Sequence, residues 1–180
     1  MVFSSFTFLF YFLPAFLLVY FLAPVSWKNT VIFAASLIFY YYGVREYPYY
    51  VLLMLLTLAV NYTAARYMMR CRRRRGKTIC LAAGMTWNMG CLFVFKYADF
   101  LSGNLNFLLE RTGIGVSIPC IRLVLPIGIS FYTFQISSYL MDVYREKVPA
   151  ERSLLTLGTY LCMFPQLIAG PIVTYSEVRI

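Results

Sequence analysis

The chain reads as a series of long apolar runs separated by short charged punctuation. Charge-free stretches cover 1–27, 29–44, 47–65, 78–95, 123–141 and 153–176. A helix needs about 20 mostly apolar residues to cross the hydrocarbon core of a bilayer, within a range of about 17–25. Five of the six stretches meet that length, and 29–44 falls just short at 16 residues. Charged ends can snorkel to the interface and rescue a short span. The pattern predicts an all-α, polytopic transmembrane helical bundle of about six spans, one domain over 1–180. The first run reads as a retained span rather than a signal peptide. Its first basic residue is Lys28, so it has no charged n-region, and its apolar stretch is long for an h-region.

Composition strengthens this picture. Hydrophobic residues make up 61% of the 180 and charged residues only 13%, with a mean hydropathy of +0.71. Soluble domains carry about 45–50% apolar and about 25% charged residues. No repeat, linker or second domain is evident. The five cysteines (Cys71, Cys80, Cys91, Cys120, Cys162) form no C-x-x-C pair and no metal-ligand spacing. Four lie in or near apolar runs and read as small hydrophobes; Cys71 lies beside an arginine run that can lower a thiol pKa, but an inert cytoplasmic thiol is the preferred reading.

Charge then sets an orientation. The net charge is +9, and Arg66, Arg70, Arg72, Arg73, Arg74, Arg75 and Lys77 place seven positive charges in twelve residues. Lys and Arg near span ends mark the cytoplasmic side, so loop 66–77 is expected inside and the N-terminus outside. Alternation then puts the loops at Lys28 and 142–153 inside, and those at Arg45–Glu46 and 97–120 outside. Six spans leave 11 of the 16 basic residues inside, whereas dropping the short second span puts Lys28 on the wrong side. The basic loop could also hold anionic headgroups or meet an acidic carrier or phosphorylated donor, although orientation alone accounts for it. No nucleic-acid recognition fold accompanies the charge. Segment 97–111 is amphipathic and fits a helix lying in the outer interface against membrane lipid. Tyr40, Tyr41, Tyr42, Tyr47, Tyr49 and Tyr50 fit an aromatic belt.

The fifth apolar stretch carries the most chemistry. At about 100° per residue, Gly128, Tyr132, Gln135, Tyr139 and Asp142 fall within about 40° of one line. Ser130, Thr133 and Ser137 fall on the opposite side. A helix polar on two opposite faces must be central in its bundle or line a wet path. The Ser/Thr face reads as interhelical hydrogen bonding; the Tyr132, Gln135, Tyr139 and Asp142 stripe reads as a substrate path, with Asp142 at its solvent end. In the sixth stretch, Pro165, Gly170 and Pro171 interrupt the helical ladder beside Gln166. Freed carbonyls at membrane depth need protein or a wet cavity against them, which makes Gln166 a candidate cavity-wall residue. Asn61 and Asn88 read as single structural amides, and Lys96 as a snorkelling residue. No metal site and no catalytic residue are expected.

These same stretches resemble the membrane-bound O-acyltransferase (MBOAT) family, in its bacterial alginate O-acetyltransferase (AlgI-like) branch. The resemblance rests on Met1 to Ser5, Ala35 to Tyr40, Phe95-Lys96-Tyr97, Asn104-Leu105-Asn106 and, most specifically, Leu125 to Arg145 and Phe164 to Val173. It implies a bacterial cell (inner) membrane enzyme with no bound cofactor. Such an enzyme carries an acyl group from a cytoplasmic donor, such as acetyl-CoA or an acyl carrier protein, through a central tunnel. The acceptor is an extracytoplasmic polysaccharide or cell-wall polymer, often reached through a periplasmic or cell-surface acetyltransferase partner. The branch often has His where this chain has Gln166. The resemblance also implies an essential histidine in the family's C-terminal half, and histidine suits proton abstraction near neutral pH. This chain has no histidine. It is therefore expected to be the N-terminal portion of an MBOAT domain and inactive alone. A transporter subunit with broken helices and a non-catalytic scaffold recruiting a partner to the basic loop share the same pattern.

Overall fold

A run of helices forms wherever an apolar stretch is free of internal breakers. In the computed structural model, residues 5–112, 124–169 and 174–178 are described. Among them the order is α1 (Phe8–Leu22), then α2 (Lys28–Gly43), α3 (Tyr49–Arg70), α4 (Arg74–Arg111), α5 (Ile129–Tyr144), α6 (Leu154–Cys162), α7 (Phe164–Ala169) and α8 (Tyr175–Val178), with no strand. The all-α expectation holds. In α1, a π-helical turn at Phe8–Phe12 precedes Pro14, which sits in the first turn of the regular helix, where its missing N–H is tolerated.

Among the described residues the helix lengths do not confirm a count of about six spans. By length and composition, only α3 and α4 qualify to cross a bilayer among the described residues. At about 1.5 Å per residue, the 22 residues of α3 and the 38 of α4 exceed a core about 30 Å thick. Helices α2 and α5, at 16 residues each, reach about 24 Å. The sixth stretch is split into helices of nine and six residues. Segment 97–111 is not a separate interfacial helix: it continues α4 without a break, because nothing between Lys96 and Arg111 is Pro and Gly103 alone costs only about 1 kcal/mol. Large apolar side chains line the surface of α1 and α4, among them Phe10, Phe21, Leu22, Phe93 and Phe100. Such exposure suits contact with lipid or a partner surface rather than water.

Helix α5 sits at the centre. It packs against α3, α4, α6, α7 and α8, and ten of its 16 residues are buried. A second packing centre forms where Phe164 opens α7. Its ring meets those of Phe8, Phe12 and Phe16 from α1, at centroid distances of 6.0, 5.6 and 5.4 Å, and Phe39 of α2 at 5.6 Å. Edge-on aromatic pairs add about 0.5–1.5 kcal/mol each beyond burial. They tie the broken sixth stretch to the N-terminal helices. Gly128 joins the two regions. It begins α5 at φ +76°, a left-handed conformation that disfavours side chains, and a Cβ there would lie 2.9 Å from the Leu167 carbonyl oxygen.

Candidate functional site

The two-faced polar pattern of α5 is matched by its burial. Tyr132, Gln135, Tyr139 and Asp142 on one side, and Thr133 and Ser137 on the other, are all buried. Each face has different partners. On the Ser/Thr side, Asn88 Nδ2 of α4 donates to Ser137 Oγ at 3.0 Å. Asn61 of α3 and Asn88 exchange reciprocal amide hydrogen bonds of 2.7 and 3.0 Å. Asn61 also donates to the Thr57 carbonyl at 2.8 Å, and Trp87 donates to Thr57 Oγ1 at 3.2 Å. These asparagines are therefore not isolated: they form one polar clamp across α3, α4 and α5. The sequence spacing of 27 residues between them hid the pairing, because it depends on how two helices pack.

On the stripe side, the structure brings Gln135 and Gln166 together. Gln135 Nε2 donates to Gln166 Oε1 at 3.2 Å and to the Tyr160 carbonyl at 2.9 Å. That carbonyl belongs to the last turn of α6, where the chain leaves helical geometry at Met163, φ −51° and ψ 113°. Helix ends leave unpaired carbonyls, and Gln135 satisfies one of them. Across the break, the Phe164 amide donates to Ser36 Oγ of α2 at 3.3 Å. Pro165 falls in the first turn of α7, where it needs no partner for its nitrogen. Gly170 to Val173, the rest of the interrupted stretch, lie outside the described residues.

Tyr139 and Asp142 occupy the other end of the stripe. The Tyr139 hydroxyl accepts from the Glu151 amide at 2.9 Å, and its ring meets Tyr175 at 4.9 Å. Tyr175 in turn donates to Glu151 Oε2. Asp142 is not freely solvated at the solvent end, as expected from sequence: it is buried, with Lys147 Nζ 4.0 Å away. The chain turns just past α5, where the Lys147 amide donates to the Asp142 carbonyl at 3.0 Å. Tyr132 has a different environment. Its hydroxyl and that of Tyr40 are buried without a hydrogen-bond partner among the described residues. Both lie within electrostatic range of each other and of Cys162. From sequence Tyr40 reads as part of an aromatic belt and of the Ala35 to Tyr40 stretch, and nothing in Tyr40-Tyr41-Tyr42 singles out one phenol as buried.

A hollow flanks each end of the stripe. One, of about 380 Å³, lies between Tyr42–Tyr50 and Val124–Ile127, just before Gly128. The other, of about 400 Å³, lies between Arg72–Lys77 and Tyr144–Glu146, just past Asp142. Among the described residues no cluster of His, Cys, Asp or Glu could hold a metal ion. The chemistry on offer is therefore hydrogen bonding by phenol, amide and carboxylate groups, arranged along one helix between two recesses.

Comparison with known proteins agrees with the resemblance read from the residues. The chain is 35% identical over 184 aligned positions to the probable alginate O-acetylase AlgI of Azotobacter vinelandii, covering 99% of the chain and 35% of that relative. It is 35% identical to the probable alginate O-acetylase AlgI of Pseudomonas aeruginosa, covering 99% and 34%. It is 30% identical to the peptidoglycan O-acetyltransferase of Helicobacter pylori over 208 positions, covering 99% and 38%. No family model and no solved structure matches. The chain spans about a third of the length of these relatives. Over 99% of its residues the chain is thus similar to proteins named alginate O-acetylase AlgI, of the MBOAT family, as a stretch about a third as long as those proteins.

Proposed function

We propose that this chain supplies part of the acyl path of a membrane O-acetyltransferase, moving an acetyl group from a cytoplasmic donor to an extracytoplasmic polysaccharide or cell-wall polymer. The relatives' names support the reaction class. One observation carries the assignment of the path: the buried stripe Tyr132, Gln135, Tyr139 and Asp142 runs along α5 between two recesses, and Gln135 bonds to Gln166 at the broken helix. A buried polar line in a membrane protein is costly, and function is its usual reason. The basic stretch 66–77 faces the cytoplasm in this reading, the N-terminus faces outward, and the bacterial inner membrane is crossed several times. The donor is acetyl-CoA or an acyl carrier protein, and a separate extracytoplasmic acetyltransferase can finish the transfer.

Proton abstraction from the acceptor needs a base poised near neutral pH. The family resemblance implies that this base is a histidine; none of the 180 residues is histidine, so in this reading the base comes from outside them and the chain alone is inactive. A chimera tests both points. This chain replaces the aligned stretch of the A. vinelandii relative in a strain lacking its own enzyme, and polymer O-acetyl content is measured. Acetylation by the chimera, abolished by Gln135→Leu, is expected. A chimera that inserts and folds yet acetylates nothing overturns the assignment; acetyl transfer by the purified chain above a no-protein control overturns the claim of inactivity.

A further inference from the structure

The arginine run does more than mark one side of the molecule. Arg72, Arg74 and Lys77 at the head of α4 meet Tyr144, Arg145 and Glu146 at the foot of α5 around a pocket of about 400 Å³. Two cross-links fix that junction. Lys77 Nζ is held 2.5 Å from Glu146 Oε1, across 69 positions of sequence. Thr78 Oγ1 and the Tyr144 hydroxyl hydrogen-bond at 3.1 Å. Four cations and one carboxylate line the pocket, and the carboxylate is already committed to Lys77. Among the described residues, Arg72, Arg74 and Arg145 have no acidic partner within ion-pair distance.

Two local features raise the demand for an anion there. The first turn of α4 contains no acid, so its cations crowd the positive end of the helix dipole, an unfavourable placement. Past α5, the Glu146 amide donates to the Val143 carbonyl at 3.1 Å and the Lys147 amide to the Asp142 carbonyl at 3.0 Å. That is a Schellman ending, whose left-handed position usually takes Gly. Here it is Glu146, at φ +60°, and its side chain is the one that holds Lys77. Membrane orientation accounts for a surplus of basic residues in a loop. It does not account for their closing a recess with a second segment.

We propose that this pocket binds a phosphoryl group, carried either by an anionic lipid headgroup or by a soluble phosphorylated ligand. Guanidinium forks match phosphate oxygens in pairs, and Lys serves as a point charge. The inference does not rest on the acyl-transfer reading. The test uses the full chain in phosphatidylcholine nanodiscs, titrated calorimetrically with inorganic pyrophosphate. Saturable binding is expected, weakened at least about tenfold by Arg74→Gln with Arg145→Gln. Arg73→Gln with Arg75→Gln removes equal charge outside the pocket and is expected to change affinity less than about twofold. Nanodiscs containing one-third phosphatidylglycerol separate the sources: pyrophosphate is displaced if headgroups fill the pocket and unaffected if the ligand is soluble. No saturable binding, or equal weakening by the two arginine pairs, overturns the proposal.

Discussion

Gln135 and Gln166 meet side chain to side chain at 3.2 Å, linking the central helix α5 to the short helix that follows the break after α6. The same Gln135 nitrogen also serves the Tyr160 carbonyl at 2.9 Å. One amide group thus both closes the end of α6 and reaches the residue where relatives of this branch are expected to carry His. The break in the sixth stretch is stabilised from α5, not left to itself.

That division of labour makes the two glutamines unequal. Gln135→Leu strips a buried helix-end carbonyl of its side-chain donor and is expected to cost about 1–3 kcal/mol. Gln166→Leu removes only the longer bond from a half-buried side chain and is expected to cost nearer the about 0.6 kcal/mol typical of interhelical bonds in membranes. Unfolding of the purified chain in mixed micelles, followed by circular dichroism, measures both. Equal losses would show that Gln135 does not act as the cap of α6.

The two tyrosines of the stripe should respond in opposite directions to the same substitution. Tyr132 keeps a buried hydroxyl without a partner among the described residues, so Tyr132→Phe removes a desolvated polar atom and is expected to leave stability unchanged or raise it by about 1 kcal/mol. The Tyr139 hydroxyl accepts from the Glu151 amide, so Tyr139→Phe removes that bond and is expected to destabilise by about 1 kcal/mol. In the chimera, Tyr132→Phe is expected to lower polymer acetylation despite the stability gain, the trade expected where a strained group serves function. Acetylation unchanged by Tyr132→Phe would remove that tyrosine from the path.

How far the sequence reached can be traced residue by residue. The 100° periodicity of α5 was enough to place Tyr132, Gln135, Tyr139 and Asp142 on one buried face, because a helix fixes side-chain direction locally. Pro165 announced the break between α6 and α7 for the same reason. The Gln135–Gln166 bond, the Asn61–Asn88 pair and the junction of Arg74 with Tyr144 were not legible. Each joins helices whose mutual rotation depends on packing across the bundle. Segment 97–111 was misread as a separate element because amphipathicity reports a face, whereas a boundary needs a cap or a breaker, and none stands between Val94 and Lys96.

The asparagine clamp offers a direct measure of that packing. Asn61 and Asn88 are both fully buried, and each supplies half of a reciprocal pair. A double-mutant cycle of Asn61→Leu and Asn88→Leu is expected to give a coupling between about 0.6 and about 1.7 kcal/mol, the range found for hydrogen bonds between membrane helices. Asn88→Leu alone should cost more than Asn61→Leu, because Ser137 loses its donor too. Additive effects would mean that α3 and α4 do not hold this register.

The Lys77–Glu146 pair links the α4–α5 junction to pH. Lys77 donates a hydrogen bond to the Glu146 carboxylate and adds its positive charge, and together these hold the carboxyl below its usual 4.5. Arg72, Arg74 and Arg145 line the same recess as Tyr144, and their positive charges favour the ionised form. A carboxyl pKa depressed by folding contributes stability that is fully present above the unfolded value and lost as pH falls through the folded one. The junction should therefore be intact at neutral pH and loosen only below about 4.5. Site-specific carboxyl carbon NMR of Glu146 is expected to show a midpoint below 4.5 in the parent chain. That midpoint should rise towards the unperturbed value in Lys77→Met. The protection of the Lys147 amide against exchange, relative to its intrinsic rate at each pH, should fall over the same acid window, since it is bonded to the Asp142 carbonyl at the same corner. Both changes should shift together in the variant, since the ion pair is one of the two cross-links at the corner. A Glu146 midpoint that ignores Lys77→Met would assign the depression to the arginines, and the ion pair would not be what fixes α5 against α4.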